Sequence, residues 1–217
     1  KATGVAVHIG SQLMSIAPYA RAYTRVAALI KTLRRQGHTI TTVDIGGGIG
    51  VRYKNETPPD LYLYALMVRD IILPLNVHVI LEPGRSIVAD AGLLLSSVLQ
   101  VKKGHGKNFM ILDAAMNDLM RPAMYDAYHE ILPCKKNTRK KSLHDVVGPV
   151  CETGDTFLTN ELLPPMTEGE YVALMTAGAY GSSMSSNYNT RPLLAEVLVC
   201  GKTHKVIRRK QSISDIL

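Results

Sequence analysis

Hydrophobic positions in the first ninety residues change period at regular intervals. "GVAVHIG" (4–10), "ITTVDI" (40–45) and "VHVILEPG" (77–84) are short β-branched runs that read as strands. Between the first two, "PYARAYTRVAALIKTLRRQG" (18–37) places Tyr19, Tyr23, Val26, Ala27, Ile30 and Leu33 at helical spacing and stops at Gly37, a natural C-cap. "PDLYLYALMVRDIIL" (59–73) predicts a second helix, with Pro59 near its start and Pro74 past its end. Strands alternating with helices predict parallel β/α units, in which ligands gather at the strand C-termini.

The pattern changes after Arg85. "LLLSSVLQVKK", "KNFMILDA", "HDVVGPV", "YVALMTAGAY" and "RPLLAEVLVCG" are short strand-like runs broken by Gly, Pro, Asn and charged turns. They predict an antiparallel barrel or sandwich. A boundary near residues 86–95 follows, giving a first domain of residues 1–90 and a second of residues 91–217. Three β/α units are too few for a closed barrel, which takes eight strands and about 250 residues. The chain opens directly into a strand with no initiator methionine, which favours a truncated barrel over an open three-stranded sheet.

Composition adds little. At 217 residues the chain can bury a sizeable core, and no apolar run is long enough for a membrane helix. Three cysteines, Cys134, Cys151 and Cys200, lack the spacing of a zinc site or a disulfide framework, so a reducing, cytoplasmic setting is expected. The net charge of +7 is concentrated in "CKKNTRKK" (134–141) and "IRRK" (207–210). Neither run carries interleaved aromatics, so both are read as solvated loops and not as a nucleic-acid patch.

The candidate chemistry lies at the strand ends. "DIGGGIG" (44–50) departs from the G-x-G-x-x-G of a dinucleotide fold. "GKT" (201–203) lacks the earlier glycine of a P-loop and reads as a hairpin turn. A glycine turn at the end of a parallel strand lets backbone N–H groups converge on a phosphate, or is merely tight. Its neighbours favour the first reading. "HIGSQ" (8–12) ends the strand before and "LEPGR" (81–85) ends the strand after, so His8, Ser11, Glu82 and Arg85 share one rim with the glycines.

"HIGSQ", "DIGGGIG" and "EPGR" resemble the barrel motifs of the fold-type III pyridoxal 5′-phosphate-dependent decarboxylases, relatives of alanine racemase. "LDAAMNDLMRPAMYDAYHEI" (112–131), "CETGD" (151–155) and "MTAGAYGSSMSSNYNTRP" (175–192) narrow the resemblance to the branch acting on meso-diaminopimelate, and it covers nearly the whole chain. It implies the C-terminal part of a (β/α)8 barrel followed by a β domain. It also implies that Gly46, Gly47, Gly48, Ser11, Arg85 and Tyr180 bind the cofactor, with its phosphate held by the glycines, Ser11 and Tyr180. His8 would stack on the ring and Glu82 would pair with the ring nitrogen. Arg85, Arg121, Tyr125, Glu152 and Tyr180 would grip the substrate, while Cys151 would return a proton after CO₂ leaves. The Cys151 loop of this family enters a neighbouring subunit, implying a homodimer with shared sites. One departure is Thr153, where the family more often has serine.

The lysine that anchors the cofactor as a Schiff base lies, in this family, on an early barrel strand inside an "A-x-K-A-N"-like motif. No lysine here has that setting: Lys1, Lys31 and Lys54 sit at the chain start, in a helix and in a loop. The chain alone is therefore expected to be inactive, with its anchor encoded upstream. Two alternatives are a non-catalytic relative that binds the cofactor or a partner, and a decarboxylase of arginine or a polyamine precursor.

Overall fold

The computed structural model describes residues 1–104 and 106–217. They form two compact units, Lys1–Ala89 and Asp90–Leu217.

The first unit runs β1 (Gly4–Ala6), α1 (Ala17–Arg35), β2 (Thr42–Asp44), α2 (Leu61–Ile71), β3 (His78–Ile80) and the short α3 (Arg85–Val88). Its strands form a parallel sheet in the order β1-β2-β3, with Gly4 opposite Thr42 and Thr42 opposite His78. The α1 helix buries Tyr19, Tyr23, Val26, Ala27 and Ile30, the face that its 3.6-residue period marks out. Leu33, on the same stripe, is only partly buried against that core. The helix ends in a Schellman motif: His38 N–H donates to Leu33 O at 3.0 Å and Gly37 N–H to Arg34 O at 3.1 Å. Gly37 takes φ +86°, a region in which a side chain is strained. Arg34 then ties the helix end to the segments that lead into β2 and β3, its guanidinium donating to Ile40 O at 2.6 Å and Leu75 O at 2.7 Å. Asp60 caps α2, accepting from Tyr62 N–H at 2.7 Å, an interaction worth about 1 kcal/mol.

The second unit runs β4 (Leu94–Lys103), β5 (Asn108–Leu112), α4 (Arg121–Tyr125), β6 (Ile131–Pro133), β7 (Ser142–Val147), β8 (Thr156–Leu163), β9 (Tyr171–Leu174), β10 (Glu196–Cys200) and β11 (Thr203–Arg208). The all-antiparallel pairing expected for this region does not hold at one place. The unit is a mixed six-stranded sheet in the order β6-β9-β4-β5-β7-β8 with a separate β10–β11 hairpin, and β5 pairs with β7 in parallel. A parallel neighbour requires a crossover of roughly a dozen or more residues. The stretch between β5 and β7 supplies it, carrying α4 and sending β6 to the far edge of the sheet. Val98, Met110, Leu112, Val146, Val172 and Leu174 line the core on these strands.

Three strands, β6, β8 and β11, were not among the predicted runs. The 134–141 run is a loop, whereas the 207–210 run begins inside β11. There Arg208 pairs with Glu196 across the hairpin, and Arg209 pairs with Asp215. The "GKT" run closes that hairpin, with Gly201 at φ +57°.

Candidate functional site

In the first unit the segments that follow β1, β2 and β3 continue to bond to one another beyond the strands. Val7 N–H donates to Asp44 O at 2.9 Å, Ile45 N–H to Ile80 O at 3.0 Å and Glu82 N–H to Gly46 O at 2.9 Å. The parallel sheet thus brings His8, Ser11, the glycines, Glu82 and Arg85 to one edge. Arg85 donates to the Ser11 hydroxyl at 3.1 Å and to the Tyr53 hydroxyl at 2.5 Å. Gly47 N–H approaches His8 Nδ1 at 3.5 Å, the outer limit of a hydrogen bond. His8 and Glu82 are exposed, so His8 is not a buried core histidine.

The glycines answer first to the protein's own backbone. A Cβ on Gly46 would lie 2.4 Å from Val7 O, one on Gly47 would lie 2.1 Å from Glu82 O, and one on Gly48 would lie 2.0 Å from Gly10 O. The flanking strand ends therefore fill the space a side chain would need. What is left for a ligand is the peptide edge. Gly46 N–H is taken by Asp44 Oδ1 at 2.8 Å, whereas Gly48 N–H has no acceptor among the described residues. An open N–H at the same strand-end edge as a hydroxyl and a guanidinium supplies donors of the kind that suit a phosphate.

In the second unit Arg121 opens α4 and is buried, not a surface charge. Its guanidinium meets His129 Nε2 at 2.7 Å, and His129 Nδ1 lies 2.8 Å from Met175 O. A carbonyl can only accept, so Nδ1 carries the ring proton and Nε2 offers Arg121 its lone pair. Tyr125 ends the same helix with its side chain exposed.

Cys151 and Glu152 occupy the exposed turn between β7 and β8. Asp155 fastens this turn. Its carboxylate accepts Met116 N–H and Val150 N–H, each at 2.7 Å. Gly148 allows the approach, because a Cβ there would fall 2.3 Å from the same carboxylate. A Cβ on Gly154 would touch Met116 and Ala123, so the turn packs on α4, the helix that carries Arg121 and Tyr125. Burial raises the Asp155 carboxyl above the ordinary aspartate range, against the hydrogen bonds from Val150 and Met116. Glu152 Oε2 accepts the Tyr188 hydroxyl at 3.2 Å, and that bond raises the Tyr188 phenol. Tyr180 lies in the loop after β9 at φ +58°, and Thr176 in the same loop is at φ +55°. Left-handed backbone at a tyrosine is strained and often marks a functional loop.

Asp155, Tyr188, His129 and Arg191 hold the candidate residues or their segments in place, and the motifs gave them no role. Arg191 donates to Asn117 Oδ1 at 2.9 Å, Asp113 O at 2.6 Å and Asp118 Oδ2 at 3.2 Å, stitching "NTRP" to "MNDL". The quoted motifs contain all four residues, but nothing local marks their partners.

The matching family model is the C-terminal sheet domain of the pyridoxal-dependent decarboxylases, over residues 18–178. The chain belongs to this family. Its similarity to particular members runs through both units. The diaminopimelate decarboxylase of Zymomonas mobilis is 46% identical across 100% of this chain and 52% of its own length. That of Aquifex aeolicus is 44% identical across 99% of this chain and 51% of its own. The crystal structure of diaminopimelate decarboxylase from Helicobacter pylori complexed with L-lysine aligns with a TM-score of 0.93 at 43% identity, covering 99% of this chain and 53% of that one. The chain spans about half the length of the curated relatives it matches.

Proposed function

We propose that this chain is part of a diaminopimelate decarboxylase, a carboxy-lyase that converts meso-2,6-diaminopimelate to L-lysine and CO₂ with pyridoxal 5′-phosphate. The observation that carries the reading is identity of 44–46% to proteins of that name across both units, site-bearing segments included. In this reading the first unit is the last three β/α units of a (β/α)8 barrel and the second is the C-terminal β domain, divided near residue 90. The enzyme works as a homodimer in the cytoplasm. No helix among the described residues is long and apolar enough to cross a membrane.

The cofactor, when bound, supplies an electron sink for the electron pair released as CO₂ departs. Gly46, Gly47, Gly48, Ser11, Arg85 and Tyr180 are assigned to holding it, with its phosphate on the glycines, Ser11 and Tyr180. The open Gly48 N–H and the Ser11–Arg85 pair support the phosphate assignment. His8 would cover the ring face. Glu82 would keep the ring nitrogen protonated, because an adjacent anion favours the charged form of its partner. Arg85 and Arg121 offer planar forks to the substrate carboxylates, and Tyr125, Glu152 and Tyr180 complete the grip. Cys151 is assigned as the proton donor that follows CO₂ loss. No lysine of this chain is assigned as the covalent anchor.

The test is full-length protein incubated with pyridoxal 5′-phosphate and meso-diaminopimelate, with L-lysine and CO₂ measured. Stoichiometric L-lysine, with L-arginine and L-ornithine untouched, is expected. Cofactor binding without L-lysine would favour the non-catalytic relative, and turnover of arginine or ornithine would favour the other decarboxylases.

A further inference from the structure

The carbonyls of the glycine turn are each held by a different donor. Ile45 O accepts the Tyr23 hydroxyl at 2.8 Å, Gly46 O accepts Glu82 N–H at 2.9 Å, and Gly47 O accepts the Tyr19 hydroxyl at 3.2 Å. Gly48 O accepts Leu13 N–H at 2.9 Å. In a trans peptide the C=O of one residue and the N–H of the next point in opposite directions, so fixing the carbonyl aims the amide. Two of these planes spend their amides inside the protein, Gly46 N–H on Asp44 and Gly47 N–H toward His8, whereas Gly48 N–H and Ile49 N–H meet no acceptor among the described residues. Of the two open planes, Gly47–Gly48 is the one whose carbonyl a side chain holds. Its carbonyl is anchored by Tyr19, and its amide, Gly48 N–H, meets no acceptor among the described residues.

We infer that Tyr19 is a positioning residue for phosphate recognition, its hydroxyl locking the Gly47–Gly48 peptide so that Gly48 N–H points away from the core as a preset donor. The inference deepens the cofactor assignment proposed above and rests on it. Tyr19 is suited to the task. It is fully buried on α1, and its ring is fixed edge-on against Tyr64 at 5.3 Å and tilted against Tyr23 at 5.9 Å. Burial, helped by Tyr64, raises its phenol to about 12, so it stays a protonated donor at neutral pH. Gly48 sits at φ +89°, where small rotations of the peptide cost little without such an anchor.

The experiment compares two ligands that differ only in the phosphate. Full-length apoprotein is titrated with pyridoxal 5′-phosphate and with pyridoxal, for wild type, Tyr19→Phe and Tyr23→Phe, and a thermal melt checks that each variant is folded. Wild type should bind the phosphorylated ligand far more tightly. Tyr19→Phe should narrow that preference about tenfold, the scale of one hydrogen bond to a charged group, with pyridoxal affinity unchanged. Tyr23→Phe, which frees a plane whose amide is already bound to Asp44, should leave the ratio as in wild type. An unchanged ratio in Tyr19→Phe, or an equal loss for both ligands, would overturn the inference and leave the cofactor assignment standing. A wild type that does not distinguish the two ligands would remove the phosphate assignment itself, and the role of Tyr19 with it.

Discussion

Asp155 holds the backbone of Met116 at 2.7 Å, bridging the turn that carries Cys151 and Glu152 to the segment that leads into α4. The same carboxylate holds Val150, so one side chain sets both the shape of the turn and its seat. Both of its oxygens face N–H donors. Asp155→Asn puts an NH₂ against one of them, and two donors left facing each other in a buried place cost about 1–3 kcal/mol. Denaturant unfolding of the variant should show a loss of that size.

The deficit of Asp155→Asn should depend on pH. Burial raises the Asp155 carboxyl above its ordinary value of 3.8, so the native state binds its proton more tightly than the unfolded chain does. The stability from that proton is fully present below 3.8 and is lost as pH rises through the raised folded value. The gap between wild type and Asp155→Asn should therefore be widest in acid and narrow toward neutrality. Unfolding free energies measured from about pH 4 to pH 7 check the slope, and a gap that widens with pH would contradict it.

The pairing of Arg121 with His129 fixes a tautomer. Side-chain ¹⁵N chemical shifts should show the His129 proton on Nδ1, because Met175 O and Arg121 leave no other arrangement in which both ring nitrogens are satisfied. A proton found on Nε2 would mean that Arg121 is not held from this side.

Gly47→Ala should unfold the first unit more readily than its small size suggests. The added methyl would stand 2.1 Å from Glu82 O, a backbone atom on a strand end that cannot swing aside. A loss of at least about 2 kcal/mol is expected, near the upper range for overpacking. Gly10→Ala is the comparison. Beyond its own chain neighbours, no heavy atom of the described residues lies within 4 Å of its Cβ position, so only the strain of φ +131° applies there.

Glu82→Gln should separate cofactor binding from turnover. The neutral amide keeps the shape of the side chain but no longer favours a protonated ring nitrogen. In the full-length enzyme kcat should fall by at least about tenfold, equivalent to roughly 1.4 kcal/mol of transition-state stabilisation, with cofactor still bound. Unchanged kcat with bound cofactor would remove the assignment of Glu82.

The sequence by itself determined the elements whose causes are local. The α1 stripe, its stop at Gly37, the second helix between Pro59 and Pro74 and the three parallel strand ends follow from side-chain period and backbone preference within a few residues. The resemblance of the motifs likewise singled out His8, Ser11, Glu82, Arg85, Arg121 and Cys151 as candidates for the proposed site. Tertiary structure decided what depends on distant partners. Whether β5 lies beside an antiparallel or a parallel neighbour is set by the path of the chain between β5 and β7, not by the apolar pattern of either strand. The bond of Tyr19 to Gly47 joins residues 28 apart, that of Tyr188 to Glu152 joins residues 36 apart, and that of Asp155 to Met116 joins residues 39 apart. A hydrogen bond of this kind needs an oxygen and a donor within about 3 Å. Folding creates that proximity, and no periodicity in the chain encodes it.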